Sequence, residues 1–353
     1  NVISSISKSD FIYKNIAIDA NDNMFAGGTY YSTVNFTLIN LDATNTNSSI
    51  ILSKTLSDYD AFLLKINSSG IIIAYTNIRG DNYNDSIETL TVDSVNNLYI
   101  GGYYRSITYN VSLSNLNATS SVTNYFLPKT ARDDSTYNNY QFLIKYNSSG
   151  TLVGYSTILS TSLNNSINNI SVDINNNLYA SGYYNSTFQI SLSNLNLTSS
   201  VSTLNLPLTT SQSGFIIKYN SSGILTGYST IYGNGTINTL LSDKIGNIYI
   251  GGNYNSGTVV SVTNLDFTQT ISLPISSVPY GFVIKYNSDA FILNLPTVTN
   301  NLVFRKPIYL DTTLYSSNAM YLINNNNILK LIPINTSLVY ADWVVNAWRL
   351  FIA

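Results

Sequence analysis

Carboxylates are the groups in this chain best suited to chemistry. Asp58, Asp60, Asp81 and Asp85 crowd one stretch, and Asp133 and Asp134 form a second group. Two carboxyls held about 5–10 Å apart can divide acid and base roles at a glycosidic bond. These groups therefore suggest a polysaccharide hydrolase or lyase, and the plainer alternative is solvated loop charge. Asp19-Ala20-Asn21-Asp22-Asn23 and Asp173-Ile174-Asn175-Asn176-Asn177 begin like a calcium loop. Such a loop needs a bidentate Glu at its twelfth position, where this chain has Tyr30 or Tyr184. Turn-forming Asx chemistry accounts for them better. Lys65, Lys145, Lys218 and Lys285 recur in one local context. A ring of four ammonium groups would bind an anion. However, a buried charge without a partner costs several kcal/mol. The favoured reading is therefore structural and pairs each lysine with a recurring aspartate: Asp19, Asp93, Asp173 or Asp243.

Composition narrows the field further. Among 353 residues there is no His and no Cys, and 16 Lys+Arg against 18 Asp+Glu leave a net charge of −2. A Ser-His-Asp or Cys-His nucleophile, the usual zinc ligands and a disulfide framework are all excluded. The residues call for no cofactor and no metal. Few basic side chains argue against a nucleic-acid partner, because that affinity comes from neutralising phosphates. No apolar run reaches the length of about 18 residues that a membrane-spanning helix requires. The start, NVISSISKSD, lacks the basic and apolar regions of a secretory leader, so the leader has been removed, the chain is a fragment, or export takes another route. Hydrophobic residues reach 44%, with 29 Tyr and 13 Phe, ample for a packed core. Asn, Ser and Thr replace the usual Lys/Glu surface.

The chain repeats itself. AFLLKINSSG at 61–70 returns as QFLIKYNSSG, GFIIKYNSSG and GFVIKYNSDA, and IAIDANDNMFAGG returns as LTVDSVNNLYIGG, ISVDINNNLYASG and LLSDKIGNIYIGG. A weaker third anchor is Asn40-Leu41, Asn115-Leu116, Asn194-Leu195 and Asn264-Leu265. Their constant order defines four units of roughly 75 residues, at about 11–80, 85–160, 166–232 and 236–297. Short β-branched or aromatic runs separated by Asn, Ser and Gly clusters predict four antiparallel strands per unit, A to D, and almost no helix. Four-stranded sheets in tandem pack radially as the blades of a β-propeller. Burial on both sheet faces explains apolar runs such as FLLKI. Each unit carries 30–40 extra residues between B and C, expected as a hairpin insert, with all four crowding one rim.

These anchors resemble the bacterial SBBP β-propeller repeat, through Asp173, Asn177-Leu178-Tyr179, Gly182, Phe215, Lys218, Asn220 and Tyr228-Ser229-Thr230. The resemblance looks closest to Asn-rich versions in surface or virion proteins of large DNA viruses, and it covers about residues 11–297. It implies a fold and an exposed setting without implying a reaction. Departures are the B–C inserts and Asn287-Ser288-Asp289-Ala290, which lacks the turn glycine.

Residues 298–353 leave the repeat and hold both tryptophans, Trp343 and Trp348. They are expected to form a degenerate fifth blade or a separate β-module, with the tryptophans as candidate docking residues. The whole reads as an all-β propeller of four recognisable blades, and as a non-enzymatic structural or adhesive protein. It would sit on a virion, fibre or cell surface and act with copies of itself, other structural proteins or glycans. The polysaccharide-acting enzyme is the alternative.

Overall fold

A computed structural model describes residues 9–287 apart from 33, 42–48, 54–57, 82, 117–121, 130–139, 159–164, 188, 258, 268–269 and 274. Beyond these it describes only 292–293, 319–323 and 329–333. Among the described residues every element is a strand. Blade one runs β1 (Ser9–Ile18), β2 (Met24–Ser32), β3 (Phe36–Ile39), β4 (Ser49–Leu52), β5 (Asp60–Ile66) and β6 (Ile72–Ile78). Blade two runs β7 (Ser86–Val92), β8 (Leu98–Tyr104), β9 (Val111–Ser114), β10 (Val122–Leu127), β11 (Tyr140–Tyr146) and β12 (Leu152–Ile158). Blade three runs β13 (Ser166–Val172), β14 (Leu178–Tyr184), β15 (Ile190–Ser193), β16 (Val201–Leu206), β17 (Ser213–Tyr219) and β18 (Leu225–Ile231). Blade four runs β19 (Thr236–Ser242), β20 (Ile248–Ser256), β21 (Val260–Thr263), β22 (Thr270–Leu273), β23 (Ser276–Tyr286) and β24 (Ile292–Leu293). In each blade the first, second, fifth and sixth strands pair antiparallel as A-B-C-D, and the third and fourth form the expected hairpin insert.

Local chemistry sets the turns. The A–B turns place Asp22, Asn96, Asn176 and Gly246 at positive φ, a region that Asx residues and glycine tolerate. The C–D turns do the same with Gly70, Gly150 and Gly223. Strand A carries one bulge in every blade, between Tyr13 and Asn15, Ile87 and Thr89, Ile167 and Asn169, and Ile237 and Thr239. The recurring second glycine pairs beside it. A Cβ added to Gly28, Gly102, Gly182 or Gly252 would lie 1.8–2.0 Å from a strand-A carbonyl oxygen. This is why the second glycine alone persists through all four units, while Ser181 replaces the first in unit three.

The blades meet closely at their A strands, β1 to β7, β7 to β13 and β13 to β19, and splay outward towards D. The inserts fill the widening gaps. Each of β9, β15 and β21 packs on the D strand of the preceding blade, and Ile158 bridges to Leu192. The expectation that the inserts crowd one rim is therefore corrected. They leave one end of the blade but fold back along its length to the opposite end, where the Asn-Leu anchor fastens them. Asn40, Asn115 and Asn194 accept through Oδ1 from the amides of Ile72, Leu152 and Leu225 at 2.9–3.0 Å. Leu41, Leu116 and Leu195 donate to the carbonyls of Gly70, Gly150 and Gly223 at 2.7–2.8 Å. A wedge of apolar side chains buried between two blades stabilises the fold more than a solvated rim would, by roughly 25 cal/mol per Å² covered. Val111, Leu113, Leu116 and Leu127 join Ile87, Leu90 and Phe142 in one such core. Beyond blade four, β25 (Ala319–Ile323) and β26 (Leu329–Pro333) pair as the hairpin expected from MYLI and LKLI. The remainder of 298–353, with Trp343 and Trp348, lies outside the described residues.

Candidate functional site

The recurring aspartates and lysines meet through an aromatic ring. Asp93 Oδ1 accepts from the amides of Val95 (3.1 Å) and Asn97 (2.8 Å), closing the A–B turn. Its Oδ2 accepts from Asn97 Nδ2 at 2.8 Å and from the Tyr99 hydroxyl at 3.1 Å. Asp173 and Asp243 repeat this with Tyr179 and Tyr249, each at 3.1 Å. Asp19 keeps the turn bonds, and Phe25 supplies no hydroxyl. On strand C the lysines pair in register with these rings. Lys65, Lys145, Lys218 and Lys285 place Nζ 5.1–5.5 Å from the ring centroids of Phe25, Tyr99, Tyr179 and Tyr249. Where direct lysine–aspartate pairing was expected, the cross-strand register sets an aromatic ring between the two, and Asp93 acts on Lys145 electrostatically. The ring stands between, with the ammonium on its face and, in three blades, the carboxylate on its hydroxyl. Burial pushes the Tyr99 hydroxyl well above its ordinary range, and the Asp93 charge adds to it. Burial lowers Lys145, with Asp93 opposing. A cation over a ring contributes roughly 0.5–1 kcal/mol at an exposed site, so the stack trims and orients the blade end.

The densest charge lies between blades one and two. Asp60 and Asp85 are buried, 3% and 0% exposed. Asp85 accepts from the Gly80 amide at 2.5 Å and the Arg105 amide at 2.9 Å. Asp81 accepts from the amides of Ile107 and Thr108 and from the Thr108 hydroxyl, at 2.6–2.8 Å. Arg105 stacks on Tyr83, with its guanidinium carbon 3.5 Å from the ring centroid. Asp60 Oδ2 lies 3.4 Å from Arg79 Nε and accepts no hydrogen bond. Burial pushes the Asp60 carboxyl up to about 7, Asp58 adding to the shift and Arg79 opposing it. Asp85 is also raised by burial, against the two backbone donors. Asp81 and Asp85 both accept from the segment 105–108, and Asp85 also holds the end of blade one at Gly80.

Three of the four carboxylates named from sequence, Asp60, Asp81 and Asp85, therefore converge on one junction, and Asp58 acts on Asp60 electrostatically. Asp133 and Asp134 lie outside the described residues. Sequence reasoning missed Arg79, Arg105, Tyr83 and Tyr109, whose hydroxyl donates to the Gly80 carbonyl. A comparison of the units would have found two positions of this network. Arg105 stands where units three and four have Asn185 and Asn255, and Asp85 where they have Asn165 and Gly235. Also missed was the pair Lys14–Glu88, 3.4 Å apart, which joins the bulge residues of β1 and β7. Among the described residues no group of three metal-ligating side chains gathers.

No family model matches the chain, so the bacterial repeat named above is not confirmed at that level. The chain is 27% identical over 248 residues to an uncharacterized WD repeat-containing protein of Acanthamoeba polyphaga mimivirus. That match covers 65% of this chain and 16% of the viral protein. Four-stranded antiparallel blades and a WD-repeat relative agree. This is a β-propeller-like repeat protein. Among the described residues no helix is long and apolar enough to cross a membrane.

Proposed function

We propose that this propeller-like chain is a non-enzymatic structural or adhesive component of a virion, fibre or cell surface, of the Asn-rich SBBP-like kind. It works by assembly with structural proteins or by binding a glycan. One observation carries the reading: among the described residues, Asp81, Asp85 and the recurring aspartates are spent on the fold. Asp81 and Asp85 are occupied by backbone amides, and the recurring aspartates by their own turns. The viral source of the relative supports a virion setting.

Two measurements test it. Immuno-electron microscopy of the native particle should place the chain on an exterior surface; an interior location would overturn the proposal. Incubation of the full chain with a panel of polysaccharides should release no reducing ends or unsaturated products. Cleavage that disappears in Asp60→Asn, or in Asp133→Asn with Asp134→Asn, would establish the hydrolase or lyase alternative instead.

A further inference from the structure

Two sets of turns in this molecule share one acceptor geometry but use different residues. In the A–B turns, Asp19, Asp93, Asp173 and Asp243 accept through Oδ1 from the amides two and four residues on. Their Oδ2 accepts from the side chain of Asn23, Asn97, Asn177 or Asn247. The C–D turns at 67–70, 147–150 and 220–223 read Asn-Ser-Ser-Gly. Here Asn67, Asn147 and Asn220 accept through Oδ1 from the same two amides, at 3.1 and 2.9 Å in every case. Among the described residues nothing accepts from their Nδ2. A carboxylate closes such a turn equally well, so the turn uses the oxygen and leaves the amide nitrogen without a structural task.

The hydroxyl two residues on is also more than the turn requires. Ser69 and Ser222 contribute their amides, and among the described residues their hydroxyls make no hydrogen bond. Ser149 turns its hydroxyl onto Asn147 Oδ1 at 2.7 Å. In each turn both serines are exposed and the asparagine is half-buried. Met24, Leu98 and Leu178 at the start of strand B pair with Ile66, Tyr146 and Tyr219 at the end of strand C. The three side-chain amides therefore stand at equivalent places on one end of their blades. An asparagine followed two places on by a hydroxyl residue, in an exposed loop, is the acceptor for an N-linked sugar. Elsewhere the fold closes this pattern. Asn169, followed by Ser171, is 6% exposed and donates through Nδ2 to the Asn238 carbonyl at 2.8 Å. Asn196, followed by Thr198, donates through Nδ2 to the Ser200 hydroxyl at 2.8 Å.

We infer that Asn67, Asn147 and Asn220 are N-glycosylation sites, which put sugars on one end of blades one to three. The donor is a sugar bonded through its anomeric carbon to a diphosphate, and a transferase supplies the base. Nδ2 attacks the anomeric carbon, so a C–N bond forms and the bond from that carbon to the diphosphate oxygen breaks. The diphosphate leaves with the electron pair, and the displaced Nδ2 proton goes to the base. Oδ1 is untouched, so a glycosylated asparagine still closes its turn. A sugar on Asn169 would have to sit between blades three and four, so the folded chain bears none there. Blade four continues Asn287 with Ser288-Asp289 and has no acceptor at this turn. The inference rests on the surface reading above, because the chain must pass through a compartment where such donors are used.

The test uses protein from native particles. A peptide N-glycosidase in heavy-oxygen water turns each glycosylated asparagine into a labelled aspartate, which peptide mass spectrometry reads against a sample left without the enzyme. Enzyme-dependent label should appear at Asn67, Asn147 and Asn220 and be missing at Asn169. No label at the three turn asparagines, or label at Asn169, overturns the inference. As a second readout, the full chain is secreted from eukaryotic cells behind an added leader. Ser222→Ala should lose the label at Asn220 alone, with an unchanged far-UV spectrum. Label that persists at Asn220 in this variant overturns the assignment as well. The microscopy described above separates this inference from the surface reading. An unlabelled chain on the exterior sinks the inference alone, and a labelled chain in the interior sinks the surface reading alone.

Discussion

The junction between blades one and two and that between blades two and three solve one geometric problem with different chemistry. In the first, Asp85 gathers the amides of Gly80 and Arg105, and buried Asp60 faces Arg79. In the second, Asn165 stands where Asp85 does. Gln141 donates to it at 2.6 Å through Nε2 and accepts from the Ile167 amide at 3.0 Å through Oε1. Both junctions leave few buried polar groups unmet. The neutral one does so without desolvating a charge, so the charged one costs more to bury and its stability depends on pH. A repeat frame therefore tolerates charge without requiring it, and the charged junction is the exception among the blades.

Breaking the charged junction should have the largest effect. Asp85→Ala leaves two buried amides without an acceptor and should destabilise by about 3 kcal/mol, measured as a lowered denaturation midpoint. Next is acidity. Burial lifts Asp60 to about 7, so between about pH 4 and 7 the native state holds a proton that the unfolded chain has lost. Stability should then fall as pH rises through that window, by on the order of 2 kcal/mol. Thermal melts across the range should show the slope in wild type and a shallower one in Asp60→Asn, where buried Asp85, raised in the same direction, keeps the remainder. An equal slope in that variant would refute the contrast between the junctions.

At the neutral junction, Asn165→Ala should cost about 1 kcal/mol with no added pH dependence by the same melts. A larger loss than Asp85→Ala would reverse the comparison. The smallest effect is expected at the blade end. Tyr99→Phe removes one hydroxyl that donates to Asp93 and should cost about 0.5–1 kcal/mol. Blade one already carries Phe25 at this position, so the variant should fold normally, and a chevron plot would read the difference.

Much of this was legible because the repeat reports on itself. Four copies of the Asp-to-Gly anchor, with four of the Phe anchor of which three end in glycine, set strand number, strand order and turn positions, since period-two patterning and Asx/Gly turns are local properties of the chain. The insert was legible as a hairpin but not in its direction, because its path depends on the gap between two blades. The ring between lysine and aspartate was hidden for a related reason. Charge complementarity names partners without regard to what stands between them, and the cross-strand register interposes Tyr99 or its equivalents. The carboxylate group was visible as a cluster, but its occupation by backbone amides was not, since most of those donors come from a loop twenty or more residues away.

The sequence by itself determined the all-β class, the four blades, the turn chemistry and the absence of His- and Cys-based catalysis, because these follow from residue type and short-range spacing. Only the tertiary structure decided where the inserts lie and which groups hold the carboxylates. Each of these depends on what a neighbouring blade covers, and local spacing carries no record of that.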